Sequence, residues 1–369
     1  MPVIVISGKP GCGSSTNAKL LAKKMKLKHF SVGDYNKRHA KKSKKETDKS
    51  IEMWHLDKKT LNKFHHDSDK LANDVAERGN VVIDGKLGIH LIKKHDLTVW
   101  LTASKKVRAE RYAKRDNIPV KDAMKKVVEK ERLERASWKK IYGFDYFHQA
   151  KETDLVINTG DKTPEEITNI IISKLNEKVF STIWDLSLPY QDKRDDIGHV
   201  NTVTQFAKQL VLLEKADPRV VIPAAILHDI GWSQIPRKER MKPVSEKITE
   251  EENKKIRIKH EKTGAKLARK ILKKINYEPG LTKEISKIID GHDTRKGFLS
   301  KNDGIMRDAD KLWRVSRKGI MTGMRRRKMN FERYYEHAKY IDGPDYFYSK
   351  SAKKIAKDEL KKRKIEFRL

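Results

Sequence analysis

The fold of the first half of the chain is decided by its opening stretch, Val3-Ile4-Val5-Ile6-Ser7 followed by Gly8-Lys9-Pro10-Gly11-Cys12-Gly13-Ser14-Ser15-Thr16. The β-branched run is typical of a buried parallel strand, and the glycines let the backbone turn tightly with its N–H groups pointing inward. Apolar residues at helical spacing follow and predict a helix that begins at about Ser14. A strand, a glycine-rich loop and a helix N-terminus together favour the binding of a phosphate group.

This stretch matches the P-loop pattern G-x-x-x-x-G-K-[ST] with one departure, because Ser14 stands where the pattern has lysine. Ser15 keeps the hydroxyl that contacts Mg²⁺ in such loops. We therefore predict a phosphate-binding loop over residues 8–16. Its missing positive charge must come from elsewhere, and Lys9 or the arginines of a closing lid are candidates.

The length and composition of the chain restrict its class. Its 369 residues suffice for about two domains, each with its own core. The net charge of +33 favours anionic partners such as nucleotides, nucleic acid or acidic surfaces. Because the lysines are spread along the chain, solvated helix faces explain them better than a nucleic-acid function does.

The cysteine content and the apolar runs restrict the location of the protein. The single cysteine, Cys12, argues against a disulfide framework. No apolar run approaches the roughly 20 residues that cross a bilayer. We therefore expect a cytoplasmic protein without a membrane partner.

The first half alternates strands and helices. After the opening strand, short apolar runs near residue 30 and over residues 80–86, 97–103 and 154–159 predict further strands. This alternation predicts a doubly wound parallel sheet, in which ligands bind at the carboxyl ends of the strands. Those ends carry the glycine loop, Asp34, Asp84 and Lys86, so we expect one pocket to gather them. Arg108 and Arg111 fall on one face of a later helix.

Residues 1–176 resemble the archaeal type of cytidylate kinase, a nucleoside monophosphate kinase. The resemblance rests on the lysine-less glycine loop and on four further motifs, which are Ser31-Val32-Gly33-Asp34, Asp84-Gly85-Lys86, Val99-Trp100-Leu101-Thr102-Ala103 and Ile141-Tyr142-Gly143-Phe144-Asp145. It implies transfer of a phosphoryl group from ATP to CMP or dCMP. Residues 8–16 would then bind ATP, with Ser15 on Mg²⁺. The acceptor would contact Asp34, Arg38, Asp84 and Lys86, and the catalytic lid charges would be Arg108, Arg111, Arg132 and Arg135.

The lid is where the chain departs from that family. The family has an arginine before an aromatic residue just ahead of Tyr-Gly, whereas this chain has Ser137-Trp138 and its arginines lie earlier. A shifted lid, an altered choice of acceptor and a weakened kinase all remain open.

The second half changes in character. Residues 177–195 are predicted to be a linker, and residues 196–369 are almost entirely helical by pattern. His228-Asp229 follows the apolar run of residues 220–227, where an adjacent charged pair is costly to bury unless it binds something. Imidazole and carboxylate together suit a divalent transition metal. Candidate ligands in this half are His199, His228, Asp229, His260, His292 and Asp310.

The order of these ligands resembles the H…HD…D pattern of the HD-domain metal-dependent phosphohydrolases, matched by His199, His228, Asp229 and Asp310. His260 and His292 resemble the extra ligands of two-metal members, or alternatively contact phosphate. The resemblance implies an all-helical bundle that hydrolyses a phosphate ester of a nucleotide-like substrate. Mn²⁺ or Fe²⁺ would be bound, as one ion or as a pair, with Asp229 catalytic and Lys311 on the phosphate.

Two alternatives stay open. Di-iron oxygenases that resemble myo-inositol oxygenase share the six-residue ligand pattern, so the ligands alone do not choose between hydrolysis and oxygenation. The second alternative is a nucleic-acid-associated regulator, in which the P-loop senses a nucleotide and the HD domain is a phosphodiesterase. The basic run at residues 325–328, followed by aromatic residues, could bind single strands. A helical cap on the bundle explains this tail better, and we predict a bifunctional enzyme of nucleotide metabolism.

Overall fold

The apolar run at the start of the chain forms the central strand of a five-stranded parallel sheet. In the computed structural model, which describes residues 2–37, 46–53, 57–194, 196–245, 248–338, 341, 343 and 345–368, the strands are β1 (Val3–Gly8), β2 (Lys28–Ser31), β3 (Val81–Asp84), β4 (Leu97–Thr102) and β5 (Leu155–Asn158). They are ordered β2-β3-β1-β4-β5 and every neighbouring pair is parallel. All of β1 is buried, as expected for a strand covered on both faces. The predicted doubly wound sheet is confirmed.

Eight helices connect or follow these strands in the described part of the chain: α1 (Ser14–Met25), α2 (Val32–Lys37), α3 (Glu46–Glu52), α4 (Lys58–Arg78), α5 (Gly88–Leu91), α6 (Lys105–Asp116), α7 (Val120–Tyr142) and α8 (Pro164–Ser187). Their ends follow local sequence signals. The Asp57 side chain accepts a hydrogen bond from the Thr60 amide at the start of α4. Thr163 and Glu166 form a reciprocal capping box at the start of α8. The predicted acceptor-binding residue Arg38 lies outside the described residues.

The chain divides into two compact units, residues 1–177 and 178–369. This division differs from the predicted linker over residues 177–195, because α8 runs without interruption to Ser187. The reason is apolar packing. Ile183 is fully buried in the core of the second unit, and Val179, Phe180 and Trp184 pack against the same core. The apolar residues that mark the change in composition are therefore part of a packed helix.

The second unit is helical in its described residues, as predicted. Its further helices are α9 (His199–Glu214), α10 (Pro218–Leu227), α11 (Arg237–Ser245), α12 (Glu250–Lys274), α13 (Pro279–Ile289), α14 (Lys301–Leu312), α15 (Arg317–Arg327), α16 (Phe331–His337) and α17 (Lys350–Glu366). Every residue from Val220 to Leu227 is buried, so α10 forms the centre of the bundle. Pro218 begins this helix with its fixed φ, and the Asp217 side chain caps it.

The basic and aromatic tail packs onto this bundle. Phe331 and Tyr334 of α16 and Leu360 of α17 are buried in the same core as α10. Arg326 donates a hydrogen bond to the Arg194 carbonyl oxygen at 2.6 Å. These contacts support a helical cap. Within the described residues, no helix combines the length and apolar character that a membrane crossing requires.

The packing of α8 gives a direct test of where the second unit begins. Ile183→Ala removes a fully buried side chain and is expected to lower the free energy of unfolding by about 2–4 kcal/mol, measured by urea unfolding of the full chain. The matched control is Ile197→Ala, which truncates a side chain that is 77% exposed and should change stability by less than about 0.5 kcal/mol. Equal stability of the two variants would show that residues 177–195 act as a linker.

Candidate active sites

The glycine-rich loop has the backbone geometry of an anion site. Gly11 and Gly13 have φ values of 82° and 86°, which other residues rarely adopt. A Cβ atom on Gly11 would lie 3.0 Å from the Cβ of Arg108, so this position leaves little room for a side chain. The loop is tied to the end of the sheet, because the Thr159 hydroxyl donates to the Cys12 carbonyl oxygen at 3.1 Å. Burial raises the pKa of the Cys12 thiol, which indicates a packing role.

Ser15 and Asp84 form the polar centre of this site. The Ser15 hydroxyl donates to Oδ2 of Asp84 at 2.5 Å, and Nε2 of His29 lies 2.7 Å from Oδ1 of the same carboxylate. Asp84 ends β3, the strand beside β1, and it is buried. A loop hydroxyl beside a strand-end aspartate is the pair that holds Mg²⁺ in P-loop enzymes. Asp84 is predicted on the acceptor side, and its carboxylate accepts hydrogen bonds from both Ser15 and, at 3.3 Å, Ser31.

A cavity of about 250 Å³ opens beside this pair. Predicted residues that line it are Pro10, Gly11, Gly13, Ser14, Ser15, Thr16, Asp84 and Lys86. Among the described residues, the cations in its lining are Lys37, Lys86, Arg115 and Lys130. Nζ of Lys86 donates to the Gly8 carbonyl oxygen at 2.7 Å, at the point where β1 enters the loop. Burial lowers the pKa of Lys86.

The predicted lid arginines lie elsewhere in this structure. Arg108 is buried and donates to the Pro10 carbonyl oxygen at 3.2 Å and to Glu131 at 2.8 Å. Arg111 donates to the carbonyl oxygen of Thr159 at 2.6 Å and to its hydroxyl at 2.8 Å. These two side chains hold the loop in place through hydrogen bonds. To act as lid charges, they would have to break these hydrogen bonds. Arginine spacing on a helix does not reveal such backbone partners.

Three further predicted residues of this unit, Arg135, Lys9 and Asp34, contact other side chains. Arg135 pairs with Asp145 and lies over the Phe147 ring, and Arg132 is exposed. Nζ of Lys9 also lies over Phe147, 4.7 Å from the ring centroid. Asp34 pairs with Lys37 at 3.0 Å, and this partner lowers the pKa of its carboxyl group against the opposing effect of burial. Of the two lysines near the loop, Lys86 lines the cavity, whereas Lys9 is absent from the cavity lining.

The second unit brings all six predicted metal ligands together, from five helices or their ends: His199 at the start of α9, His228 and Asp229 after α10, His260 within α12, His292 after α13 and Asp310 in α14. Asp229 stands between two groups of these side chains. Its Oδ2 lies 3.3 Å from Nε2 of His199 and 3.6 Å from Nε2 of His228. Its Oδ1 lies 3.5 Å from Nε2 of His260 and 3.6 Å from Nε2 of His292.

Each group is completed by a further carboxylate. Oδ1 of Asp310 lies 3.3 Å from Nε2 of His199, on the Oδ2 side of Asp229. On the other side, Oδ2 of Asp293 lies 3.8 Å from Nε2 of His260 and 3.0 Å from Nη1 of Arg257. Sequence reasoning missed Asp293. The sequence does contain a signal for Asp293: it directly follows His292, so the two residues repeat the His-Asp pair at residues 228 and 229.

The orientation of the histidines suits metal binding. Nδ1 of His228 lies 2.8 Å from the Ala225 carbonyl oxygen, and Nδ1 of His292 lies 2.9 Å from that of Ile289. When Nδ1 donates to a carbonyl, Nε2 keeps its lone pair for a metal. Nε2 of His260 is buried and has no hydrogen-bond partner among the described residues. The residues present therefore fit a divalent metal. Their donor atoms form three overlapping groups, which are His199, His228 and Asp310, then His228, Asp229 and His292, and then His260, His292 and Asp293.

Protons balance the charges of this centre when metal is absent. Burial alone would lower the pKa of His199, but Asp229 and Asp310 raise it to about 10. Burial likewise opposes protonation of His292, yet Asp229, Asp293 and Asp310 raise its pKa to about 10. Burial would raise the pKa of Asp229, and the surrounding histidines hold it well below its usual value. Metal binding should therefore release protons from these imidazoles.

A cavity of about 270 Å³ lies over this centre. His292, Asp293 and Asp310 line it together with the cations Arg257, Arg307, Lys311 and Arg314. Lys311 also donates to the Tyr346 carbonyl oxygen, and burial lowers the pKa of its ammonium group. A cation-rich mouth over imidazole and carboxylate groups favours an anionic ligand. The structure thus brings the predicted Lys311 to the same cavity as the predicted ligands.

Comparisons with known proteins divide the chain in the same way. Residues 3–161 match the model of the cytidylate kinase-like family, and residues 196–314 match that of the HD domain. A cytidylate kinase of Sulfurisphaera tokodaii is 37% identical over 179 residues, which cover 47% of this chain and 95% of the relative. A cytidylate kinase of Methanocaldococcus jannaschii is 33% identical over 178 residues, covering 47% and 97%. A solved structure of a predicted HD superfamily hydrolase from an uncultured Thermotogales bacterium covers 50% of this chain and 86% of its own, with 24% identity and a TM-score of 0.33.

The shared position of Asp229 leads to a test of metal binding. Asp229→Asn keeps the size of the side chain but removes the charge that faces both groups of histidines, so Mn²⁺ affinity should fall by more than about 100-fold. Calorimetric titration of the full chain with Mn²⁺, without ATP, measures this change. Asp290→Asn, the same substitution at an exposed position just before His292, should bind Mn²⁺ like the wild type. Wild-type affinity in Asp229→Asn would contradict the assignment.

Proposed function

The chain belongs to the cytidylate kinase-like family through residues 3–161 and carries an HD domain over residues 196–314, and from this premise we propose a bifunctional enzyme of nucleotide metabolism. Its first unit phosphorylates CMP or dCMP with ATP. Its second unit hydrolyses a phosphate ester of a nucleotide-like substrate. The kinase proposal is carried by the Ser15–Asp84 pair beside the glycine loop. The hydrolase proposal is carried by Asp229, whose two oxygens face two histidine groups.

In the kinase reaction, backbone N–H groups of the loop bind the phosphates of ATP, and Ser15 and Asp84 would hold Mg²⁺. That ion neutralises charge on the transferring group when it is bound. An oxygen of the acceptor phosphate attacks the γ-phosphorus, the bond to the β-phosphate oxygen breaks, and ADP leaves with the electron pair. Because Ser14 supplies no charge, we assign the stabilisation of this phosphate to Lys86, Arg115 and Lys130 in the cavity wall.

Other residues in the lining of this cavity suit a nucleobase. Met53, Leu61, Leu87, Leu91 and Trp138 line it with apolar surface. His65 and Asp69 add polar groups there, and burial lowers the pKa of His65 to about 4, so its imidazole is neutral at physiological pH. Apolar walls with a few polar groups are typical of sites that bind a small molecule in one orientation. These lining residues support a nucleoside monophosphate as the acceptor.

In the hydrolase reaction, His199, His228, Asp229 and Asp310 would hold one metal, and Asp229, His260, His292 and Asp293 would hold a second, with Mn²⁺ or Fe²⁺ as the preferred ions. Such metals lower the pKa of bound water and neutralise charge at phosphorus. The protein's own cations Arg257, Lys311 and Arg314 bind the phosphate oxygens. Water adds its oxygen to phosphorus, the ester P–O bond breaks, and the departing alcohol oxygen takes a proton.

The cation-rich cavity also bears on the oxygenase alternative. Its four cations lie beside the carboxylates of the metal centre, where they have a clear use for a phosphorylated substrate. An oxidation of a neutral substrate gives them no such role. This arrangement supports hydrolysis.

The kinase proposal predicts a specific dependence on the Ser15 hydroxyl. Ser15→Ala should lower kcat/KM for CMP by about 100-fold, because the metal loses an oxygen ligand. Ser15→Thr is the matched control and should stay within about tenfold of the wild type, since it keeps the hydroxyl. The assay follows ADP formation by the full chain with ATP, Mg²⁺ and a panel of nucleoside monophosphates. Absence of ADP with every acceptor would refute the kinase proposal.

The hydrolase proposal predicts that turnover needs a metal and no oxygen. The full chain loaded with Mn²⁺ or Fe²⁺ should release phosphate from nucleotides at equal rates in air and under anaerobic conditions, and chelation with EDTA should abolish release. Asp310→Asn should also abolish it, because the first metal position loses a carboxylate. Turnover that consumes oxygen and stops without it would favour the oxygenase alternative.

A further inference from the structure

Two exposed aromatic side chains lie beside the cavity of the metal centre. Phe298 and Tyr348 meet edge to face, with their ring centroids 4.9 Å apart. They remain 39% and 43% exposed, and Leu299 next to Phe298 is 54% exposed. A contiguous exposed apolar patch that borders a polar cavity is typical of a ligand-binding surface.

The aromatic pair is joined to the cavity by two of its cations. Cζ of Arg307 lies 4.8 Å from the centroid of the Phe298 ring, and Nζ of Lys311 lies 5.7 Å from it. Both cations line the cavity that contains His292 and Asp310. A phosphate group held by these cations next to the metal centre would therefore leave the rest of its molecule beside the rings.

The position of Tyr348 is fixed by buried contacts. The carboxylate of Asp308 accepts hydrogen bonds from the backbone amides of Tyr348 and Ser349, both at 2.8 Å, and from the Ser349 hydroxyl at 2.7 Å. The ring lies so close to α14 that a Cβ atom on Gly304 would be 2.4 Å from it. A surface held in place before binding loses less conformational entropy when a ligand arrives.

We propose that Phe298 and Tyr348 form a nucleobase-binding surface of the HD site. The base of a nucleoside monophosphate stacks on one of these rings and meets the edge of the other, while its phosphate lies among Arg257, Lys311 and Arg314. Every nucleobase has a π face, so this surface selects nucleotides over phosphate esters without a base and discriminates little between bases. The inference rests on the proposed hydrolysis, in which water adds to phosphorus, the bond to the 5′ oxygen breaks, and nucleoside and inorganic phosphate are released.

The test compares substrates with and without a base. The full chain is loaded with Mn²⁺, ATP is omitted so that the kinase unit transfers nothing, and phosphate release is measured from AMP, CMP and ribose 5-phosphate. Phe298→Ala and Tyr348→Ala should each raise KM for AMP and CMP about tenfold, with kcat within about twofold. Both variants should hydrolyse ribose 5-phosphate like the wild type, which also shows that they are folded.

Two further variants separate stacking from general disturbance of the surface. Phe298→Tyr keeps an aromatic face and should restore the wild-type KM for AMP. Leu212→Ala truncates a side chain that is 80% exposed on α9 and should leave all three substrates unaffected. If wild type and variants show equal KM values for all three esters, the nucleobase surface is refuted and hydrolysis stands. If no ester releases phosphate, the proposed hydrolysis fails and this inference fails with it.

Discussion

The second unit depends on one carboxylate, that of Asp229, whose two oxygens face different groups of histidines. Burying a carboxylate is costly unless cations or hydrogen-bond donors surround it. Here the surroundings come from the two sides of the bundle, with His199 and His228 on Oδ2 and His260 and His292 on Oδ1. The indole of Trp232 also donates to Oδ1 at 3.0 Å while its ring stacks on His260. The helices that carry these side chains are thereby held around a common centre.

The first unit also needs positive charge around its site, and it obtains this charge from side chains outside the glycine loop. Its glycine loop lacks the usual lysine, so the positive charge near the phosphates must come from neighbouring elements. Lys86 contacts the Gly8 carbonyl oxygen at the entrance to the loop. Arg108 donates to the Pro10 carbonyl oxygen within the loop, and Arg111 donates to the carbonyl oxygen of Thr159, the residue after β5. Because Ser14 replaces the usual lysine, the positive charge near the loop comes from side chains that also hold the loop in its conformation. In the proposed function, loop amides and lysine would bind the phosphates in the first unit, whereas in the second unit imidazoles and carboxylates would hold metal and arginine and lysine side chains would bind the phosphate.

Much of this arrangement could be predicted because its determinants are local. The β-branched run and positive-φ glycines predict β1 and the loop, and the ordered histidines predict the centre that the structure brings together. Other features depend on tertiary partners. Asp84 faces Ser15 only because β3 lies beside β1 in the sheet. The apolar residues of 177–187 gave no sign of whether they pack, and Ile183 shows that they do. Asp293 does not stand out in the sequence because the H…HD…D pattern includes no carboxylate at that position, although Asp293 directly follows the predicted ligand His292.

Asp229 would be shared between two adjacent metal positions. Crystals of the full chain grown with Mn²⁺ and without ATP, measured at a wavelength where manganese scatters anomalously, test this sharing directly. We expect two anomalous peaks in the second unit, one among His199, His228 and Asp310 and one among His260, His292 and Asp293, with the Asp229 carboxylate between them. A single peak, or two peaks of which neither contacts Asp229, would contradict it.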